Sequence, residues 1–510
     1  MFDGECSVKL SEFAVIPRRN DNRQRESHSG QLRVVSLAKS GSIRLSIRPA
    51  IRWDNNSKRI LAVITANKLL SKKLLMPVRS AQSIVAACAL AAGFSSVSYG
   101  LGIRVADQDA RATARGNAFT ATADNPSAIY YNPAGITDLY SPILNSPTLT
   151  PTLGRGKQSV PASASSSPGS DSGLRTRLGL YSITLANKVT PSASDSSFDI
   201  SHRWQFAPSF YTTWKPGGSR FTFGFGIYAP YGFGIWYPED SPIRASAISG
   251  SIQYLTINPV VACKLTDSLS VSAGPTFNYG RTALKRGLFP QTVFGGGDRF
   301  QFDGEGWAVG WNAGLMWRPL PKHSFGVMYR SQTEIEFEGS STTVVPGVID
   351  RSQSASGGIK FPQNVVVGYS FRPTEKWNFE VNLDWTDWDN LNTVVLHQAG
   401  GDIPLPFNWQ SSLFYEFGAS YKFDNGFVAS IGYIYSENSV PNSSFNPIVP
   451  DSNRHIFSAG IGKSWDKWNF DLAYQFAHGQ KRNVTQGAIP PDGTYQFDSH
   501  AISLSAGYNF

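Results

Sequence analysis

Nowhere in this 510-residue chain does an apolar run approach the roughly 20 residues that a helical membrane span requires. Helical membrane architectures are excluded on that ground. Charge is scarce too: 16% of residues are Asp, Glu, Lys or Arg, against about 25% in ordinary soluble domains. Of three cysteines, Cys6 and Cys88 precede residue 101 and Cys263 stands alone after it. No disulfide can therefore staple the chain beyond residue 100. Catalytic signatures are missing as well. There is no Gly-x-Ser-x-Gly and no histidine pair at metal-ligand spacing; His202, His323, His397, His455, His478 and His500 are scattered. Gly460-Ile461-Gly462-Lys463-Ser464 resembles the end of a phosphate loop, but Phe457 stands where its first glycine belongs. No enzyme activity, cofactor or metal is expected.

What is abundant points elsewhere: 13% aromatic residues, 47 Gly and 31 Pro. The net charge of +9 is local, because residues 1–75 hold 15 Lys+Arg against 6 Asp+Glu. The rest of the chain is close to neutral, so no nucleic-acid partner is inferred from it. From Met76 the sequence reads as a secretory signal over 76–100. Arg79 forms the positive region, Ile84 to Phe94 the apolar stretch, and Ser98-Tyr99-Gly100 the small-residue cleavage site. Translation is expected to begin at Met76, with 1–75 a disordered basic leader foreign to the native protein; a genuine cytosolic extension is the alternative.

From about residue 146 apolar side chains recur at every second position. Trp377, Phe379, Val381, Leu383 and Trp385 oppose Asn378, Glu380, Asn382 and Asp384. Phe470, Leu472, Tyr474 and Phe476 oppose Asn469, Asp471, Ala473 and Gln475. Such alternation over about ten residues matches a tilted strand crossing a bilayer. Short turns fall at 215–219, 265–268, 318–324, 372–376, 423–426 and 464–467. Longer links lie near 158–203, 234–250, 285–303, 339–357, 389–408, 438–453 and 480–497. Six short turns alternating with seven long loops predict fourteen antiparallel strands over 143–510, closed into a transmembrane barrel. Hydrocarbon offers no partner to an open sheet edge, so closure is obligatory. Glu380 and Asp384 must then face the lumen. Leu174–Leu185 is strand-like too and is assigned to the first long loop, which keeps the count even.

Residues 101–142 do not alternate. They contain Gly116-Asn117-Ala118-Phe119 and Asn132-Pro133-Ala134, with Tyr130-Tyr131 before the latter and Gly135 after it. Together with Ala229-Pro230-Tyr231-Gly232, Asn258-Pro259 and Pro450-Asp451-Ser452-Asn453-Arg454, these motifs resemble the FadL/TodX family of outer-membrane transporters over roughly 101–510. The resemblance implies an all-β, fourteen-stranded barrel whose lumen holds residues 101–142 as an N-terminal hatch. It also implies passive uptake of long-chain fatty acids or other hydrophobic compounds, such as aromatic hydrocarbons. The long 158–203 insertion and the Asn125-Pro126 pair depart from the family pattern.

Three sets of residues are candidates for that transport. In the hatch they are Gly116, Phe119, Asn132, Pro133 and Ala134. Pro133 fixes a bend from which Asn132 can bond the wall; an ordinary turn is the plain alternative. In the third strand they are Pro230, Tyr231, Gly232 and Gly234, where a residue without an amide hydrogen and its flanking glycines permit a kink. The family resemblance makes that kink a lateral exit; the alternative is a strand ending near its loop. For capture they are Leu288, Phe289, Val293 and Phe294 in one outer loop and Val344, Val345 and Ile349 in the next, since exposed apolar clusters mark binding surfaces. Loop-loop packing would explain them equally. Arg281 could hold a substrate carboxylate or face lipopolysaccharide phosphate at the rim. The expected partners are hydrophobic small molecules, outer-membrane lipid and lipopolysaccharide. The terminal Ile502, Leu504, Ala506, Tyr508 and Phe510 are expected to address the barrel assembly machinery, and the chain is expected to be a monomer. The rival readings are a general porin for polar solutes and an outer-membrane lipid-modifying enzyme.

Overall fold

The structure, a computed structural model, describes residues 49–53, 60–64, 103–140, 172–192, 196–201, 203–486 and 491–510. Two units are distinguished, Met1–Met76 and Pro77–Phe510. In the first, Pro49–Trp53 pairs antiparallel with Ile60–Ile64. The expected signal peptide at 76–100 lies outside the described residues.

In the second unit, the described residues form fourteen staves of a closed barrel. They are β1 (Gly173–Pro191), β2 (Gln205–Lys215), β3 in two pieces (Phe221–Tyr228 and Gly232–Trp236), β4 (Ser249–Lys264) and β5 (Leu269–Arg286). Next come β6 (Arg299–Leu320), β7 (His323–Arg330 and Thr333–Val345), β8 (Ile349–Phe361 and Asn364–Phe371) and β9 (Trp377–Thr386 and Thr393–Gln398). The last are β10 (Ile403–Pro406 and Ser412–Lys422), β11 (Phe427–Ser436), β12 (Arg454–Trp465), β13 (Trp468–Gly479 and Arg482–Val484) and β14 (Gly493–Asn509). β14 closes on β1 from Gly493↔Pro191 to Asn509↔Arg175.

The burial pattern is inverted relative to a water-soluble sheet. In β9 the apolar Trp377, Phe379, Val381 and Leu383 are exposed, while Glu380, Asn382 and Asp384 are buried. β13 repeats this, with Phe470, Leu472 and Tyr474 outside and Asp471 and Gln475 inside. Lipid is the solvent that makes such a wall stable, since every second side chain meets hydrocarbon and the polar set meets the lumen.

Two expectations need correction. Leu174–Leu185 is not part of a loop: it lies in β1, the stave on which the barrel closes. The first strand expected near 143–157 falls outside the described residues. The even count survives because one strand replaces the other. The expected loop 339–357 is instead the tip of a hairpin, paired from Thr333↔Phe361 to Val345↔Ile349. Its residues are mostly Ser, Thr, Gly and charged. Strands that outrun the bilayer have no lipid face, so period-two hydrophobicity disappears while the ladder continues.

Among the described residues, prolines interrupt the wall within β3, between β4 and β5, and at Pro362 between the two pieces of β8. β3 breaks at Ala229-Pro230-Tyr231. Between β4 and β5, pairing lapses between Ile257↔Phe277 and Val261↔Ala273, where Pro259 and Pro275 face each other without amide hydrogens. There Asn258 Nδ2 donates to Pro275 O at 2.8 Å. Two apolar clusters fill the lumen. One joins Tyr231, Tyr254, Phe361, Trp388 and Trp409 toward the long-loop end. The other packs hatch residues Phe119, Ile129, Tyr130 and Tyr131 against Tyr211, Tyr228 and Val260.

Candidate transport path: hatch, broken strand and outer loops

The hatch, residues 103–140, is short helices joined by turns: α1 (Ala110–Thr113), α2 (Ala128–Tyr131) and a 3-10 stretch, Pro133–Tyr140. Ion pairs join this short segment to the wall. Arg104 forms a two-pronged pair with Asp384 of β9, at 2.6 and 2.8 Å. Arg111 Nε reaches Asp471 of β13 at 3.2 Å. Arg177 of β1 bridges Asp471, at 2.7 Å, to Asp109, which caps α1 through the Arg111 amide. Glu380 of β9 accepts from the Ala121 amide at 2.8 Å and pairs with Arg115 at 3.5 Å. Apart from the partly exposed Arg111, these groups are buried, so each pair offsets a desolvation cost that neither charge could bear alone.

Of the hatch candidates, Asn132 touches the wall. Its Nδ2 donates to Leu315 O of β6 and to Thr120 O, both at 2.9 Å, and its Oδ1 accepts from the Ala134 amide at 3.2 Å. Pro133 opens the 3-10 stretch that follows. Gly116 has φ +58, and a Cβ there would lie 2.8 Å from the Tyr433 amide nitrogen of β11. Gly432 beside it is as tight: a Cβ would sit 2.0 Å from the Gly116 nitrogen. Phe119 is fully buried edge-on against Tyr131.

The third-strand candidates meet this hatch directly. The β2–β3 ladder runs from Trp214↔Phe223 to Phe210↔Ile227. Beyond it, Gln205–Ser209 pair with β1, and no backbone register with the second piece of β3 continues among the described residues. The hatch supplies the missing partner. Val105 N–H donates to Pro230 O at 2.8 Å, Gly232 N–H donates to Ile103 O at 2.7 Å, and Arg104 forms a bridge with Tyr231. Gln108 Nε2 donates to Ala229 O at 2.8 Å, and Gln108 Oε1 accepts from Ala229 N–H at 3.3 Å. The Tyr231 ring points into the lumen cluster, 5.1 Å from both Tyr254 and Phe361, and its hydroxyl donates to Pro362 O. Gly234 carries a second side-chain patch, Gln205 Nε2 to its carbonyl at 2.9 Å.

At the long-loop end, residues 287–298 wrap around one ion pair. Arg244 Nη1 meets Asp298 at 2.9 Å, and Asp298 Oδ2 accepts from the amides of Leu288 (2.6 Å) and Phe289 (2.8 Å). Burial alone would raise the Asp298 carboxyl, but those amides and Arg244 outweigh it and hold the group below its ordinary value. Phe289 and Phe294 pack at 5.1 Å, and Phe289 and Val293 are exposed. Val348 and Ile349 are exposed at the neighbouring hairpin tip, whereas Val345 is buried and Val344 half-buried. A Cβ on Gly297 would lie 2.9 Å from the Pro346 ring, so the two apolar tips adjoin.

Arg281 is on the other side of the wall. It shares the outward parity of Leu269, Val271 and Phe277 and pairs with Asp303 at 3.1 Å, half-exposed. Parity places Arg286, five residues on, toward the lumen cluster, where it lies over the Phe300 ring at 5.6 Å. The sequence reading also missed Arg104, Gln108 and Arg330. The three hatch arginines were a usable signal, because buried acids on the wall require partners.

Between hatch and outer cluster, a cavity of about 10 Å³ is lined by Arg104, Tyr130, Asp384 and Glu416, room for one water at most. A concavity of about 450 Å³ lined by Leu178, Leu180, Ile461, Leu472 and Leu504 is on the outward, apolar face of the wall and not in the lumen.

Comparison with known proteins agrees with this architecture. Residues 84–510 match the family model described as outer membrane protein transport protein (OMPP1/FadL/TodX). A long-chain fatty acid transport protein of Salmonella typhi is 22% identical over 321 residues, covering 56% of this chain and 72% of that protein. Among solved structures, a Pseudomonas aeruginosa FadL homologue superposes with TM-score 0.66 at 16% identity, over 80% of this chain and 99% of its own. The Pseudomonas putida toluene transporter TodX gives 0.57 at 16% identity, over 82% and 98%.

Proposed function

The chain belongs to the outer membrane protein transport family (OMPP1/FadL/TodX) and is an outer-membrane β-barrel, and on that premise we propose that it carries hydrophobic molecules from the outer loops through the lumen to a lateral exit at β3. Relatives named for long-chain fatty acids and for toluene bracket the substrates. The observation that carries the reading is the break at Ala229-Pro230-Tyr231. There a wall that lipid requires to be closed is completed by hatch backbone and a glutamine side chain.

A molecule adsorbs on the apolar tips around Phe289, Val293, Val348 and Ile349, where water contact with apolar surface is removed at about 25 cal/mol per Å². It passes into the aromatic cluster around Tyr254, Phe361 and Trp388. Displacement of Ile103–Gln108 then uncovers the seam between β2 and β3, and the molecule leaves sideways into the bilayer. No residue set here supplies energy, so flux follows the gradient, and no catalytic step is needed. Arg281, outward with Asp303 at the rim, suits lipopolysaccharide contact better than substrate. The protein acts as a monomer, delivered by the barrel assembly machinery through its terminal Tyr508 and Phe510.

The test is uptake of labelled oleate and toluene by Gram-negative cells deprived of their own transporter. Uptake of at least one compound should be restored; restoration of neither defeats the reading. The porin alternative predicts steady ion conductance in planar bilayers. The hatch, packed into the lumen, predicts silence.

A further inference from the structure

The outward face of β12, β13, β14 and β1 carries the hollow of about 450 Å³. Its floor is Ala506. The ladder sets Ala506 opposite Leu178 of β1 and Phe470 of β13. Leu504 and Tyr508 precede and follow it on the same face of β14. A methyl group among four large side chains leaves a gap that the sheet cannot close, because neighbouring strands stay about 4.8 Å apart whatever they carry. Beside it runs an exposed apolar row across the same four staves, Ile461↔Leu472, Leu472↔Leu504 and Leu504↔Leu180.

One end of the hollow is cationic. Lys463 of β12 lies opposite Phe470 and lines it. Its ammonium is 4.1 Å from the centre of the Phe427 ring and donates to Asn425 O. An ammonium has three N–H donors, so that bond leaves others to give. The neighbours of Lys463 fix its depth. It stands two residues before Trp465, the exposed last residue of β12, and Trp468 packs on Tyr508 at 4.7 Å across the adjoining staves. Such aromatics form the girdle at head-group level, and short turns face the periplasm. Ile461 is two residues further from the turn, about 7 Å deeper in the bilayer.

We propose that this hollow binds one phospholipid of the periplasmic leaflet, with an acyl chain over Ala506 and along the leucine row and the phosphate on Lys463. The inference goes beyond the transport reading and does not depend on it. A cation at head-group level with an apolar channel running toward the midplane has the polarity of a phospholipid in that leaflet; lipopolysaccharide occupies the opposite one. The volume equals about fifteen water-sized volumes, room for an acyl chain. A chain seated in a hollow meets protein on more sides than one lying on a flat wall and gains dispersion contact. The phosphate accepts a charge-assisted hydrogen bond from Lys463.

The experiment is native mass spectrometry of the full-length protein, stripped of lipid in detergent, with dioleoyl phosphatidylglycerol or dioleoylglycerol added. The wild type should retain one phosphatidylglycerol. Ala506→Phe fills the hollow and should weaken both ligands about tenfold or more. Lys463→Gln should weaken phosphatidylglycerol about fivefold and leave dioleoylglycerol, which lacks the phosphate, within about twofold. Heat-modified gel mobility checks that each barrel is folded. Lys463→Gln, on a different strand, carries the test even if the added phenyl ring impedes closure of β14. Wild-type protein that retains no phospholipid, or binding untouched by either substitution, overturns the site. So does equal weakening of both ligands by Lys463→Gln. Oleate held in the hollow in preference to phosphatidylglycerol would assign it to the transported molecule, and a dimer abolished by Ala506→Phe would assign it to a second copy; either outcome also defeats the proposal.

Discussion

The side-chain amide of Gln108 stands in for a missing strand neighbour at Ala229: Nε2 donates to the carbonyl at 2.8 Å and Oε1 accepts from the N–H at 3.3 Å. One primary amide thus reproduces both halves of a ladder contact. Ser209 Oγ of β2 donates to the Gln108 carbonyl at 2.9 Å, so the same residue ties the hatch to both sides of the seam.

Gln108→Leu keeps approximate volume and removes both bonds. The Ala229 groups would then lie unsatisfied at the seam, at a cost of about 1–3 kcal/mol each to the closed state. Intermittent conductance should appear in planar bilayers where the wild type is silent, with gel mobility of the folded barrel unchanged. A variant as silent as the wild type would show that the amide seals nothing.

Replacing both Pro230 and Gly232 with Val acts in the opposite sense. Valine restores an N–H at 230 and favours extended backbone at both positions, so the second piece of β3 can align with Gln205–Ser209. Uptake of the transported compound should fall severalfold while the barrel stays folded. Unchanged uptake would remove β3 as the exit.

The outer loop offers a pH test. Asp298 titrates below its ordinary value of 3.8 in the folded protein. A depressed carboxylate contributes stability that is complete above the unfolded value and disappears as pH falls through the folded one. The loop over 287–298 should therefore be indifferent to pH from about 5 to 8 and open only below about 4. Protease nicking of the loop, using an acid-stable enzyme, reads this directly. Asp298→Asn should be nicked readily at neutral pH, because it leaves the Arg244 charge buried and unpaired. Equal protection of wild type and variant at pH 7 would refute the role given to the pair.

How much of this was legible depended on whether the environment imposed a pattern. The turn at 423–426 could be read because Asp424, Asn425 and Gly426 sit between alternating aromatics, and Gly426 has φ +81. The hairpin tip 339–357 could not, because its run of Ser, Thr and Gly leaves few apolar side chains to alternate. Pro230 announced the broken strand through chemistry that no fold can hide. Gln108 gave no signal: its partner Ala229 is 121 positions away, and a glutamine in a non-alternating segment looks like any other. For Arg281 the parity was available to weigh a rim contact against a substrate carboxylate. It lies on the face of Phe277 and Tyr279, whose alternation already assigned that side to lipid.

The Arg104–Asp384 pair separates two explanations for what keeps the hatch in place. Both side chains are buried, and two hydrogen-bonded contacts join them. If the pair itself supplied the holding energy, removing both members would be as damaging as removing one. Desolvation argues otherwise: breaking a buried pair costs about 3–5 kcal/mol because the survivor stays charged without a partner, whereas replacing both by apolar groups is near neutral. Arg104→Met alone should therefore expose residues 103–108 to hydrogen exchange far faster than in the wild type. Arg104→Met with Asp384→Leu should return most of the protection, since the backbone bonds from Ile103 and Val105 to β3 remain. A double variant as exposed as the single one would mean that the salt bridge, and not the strand-like edge along Pro230, holds the hatch.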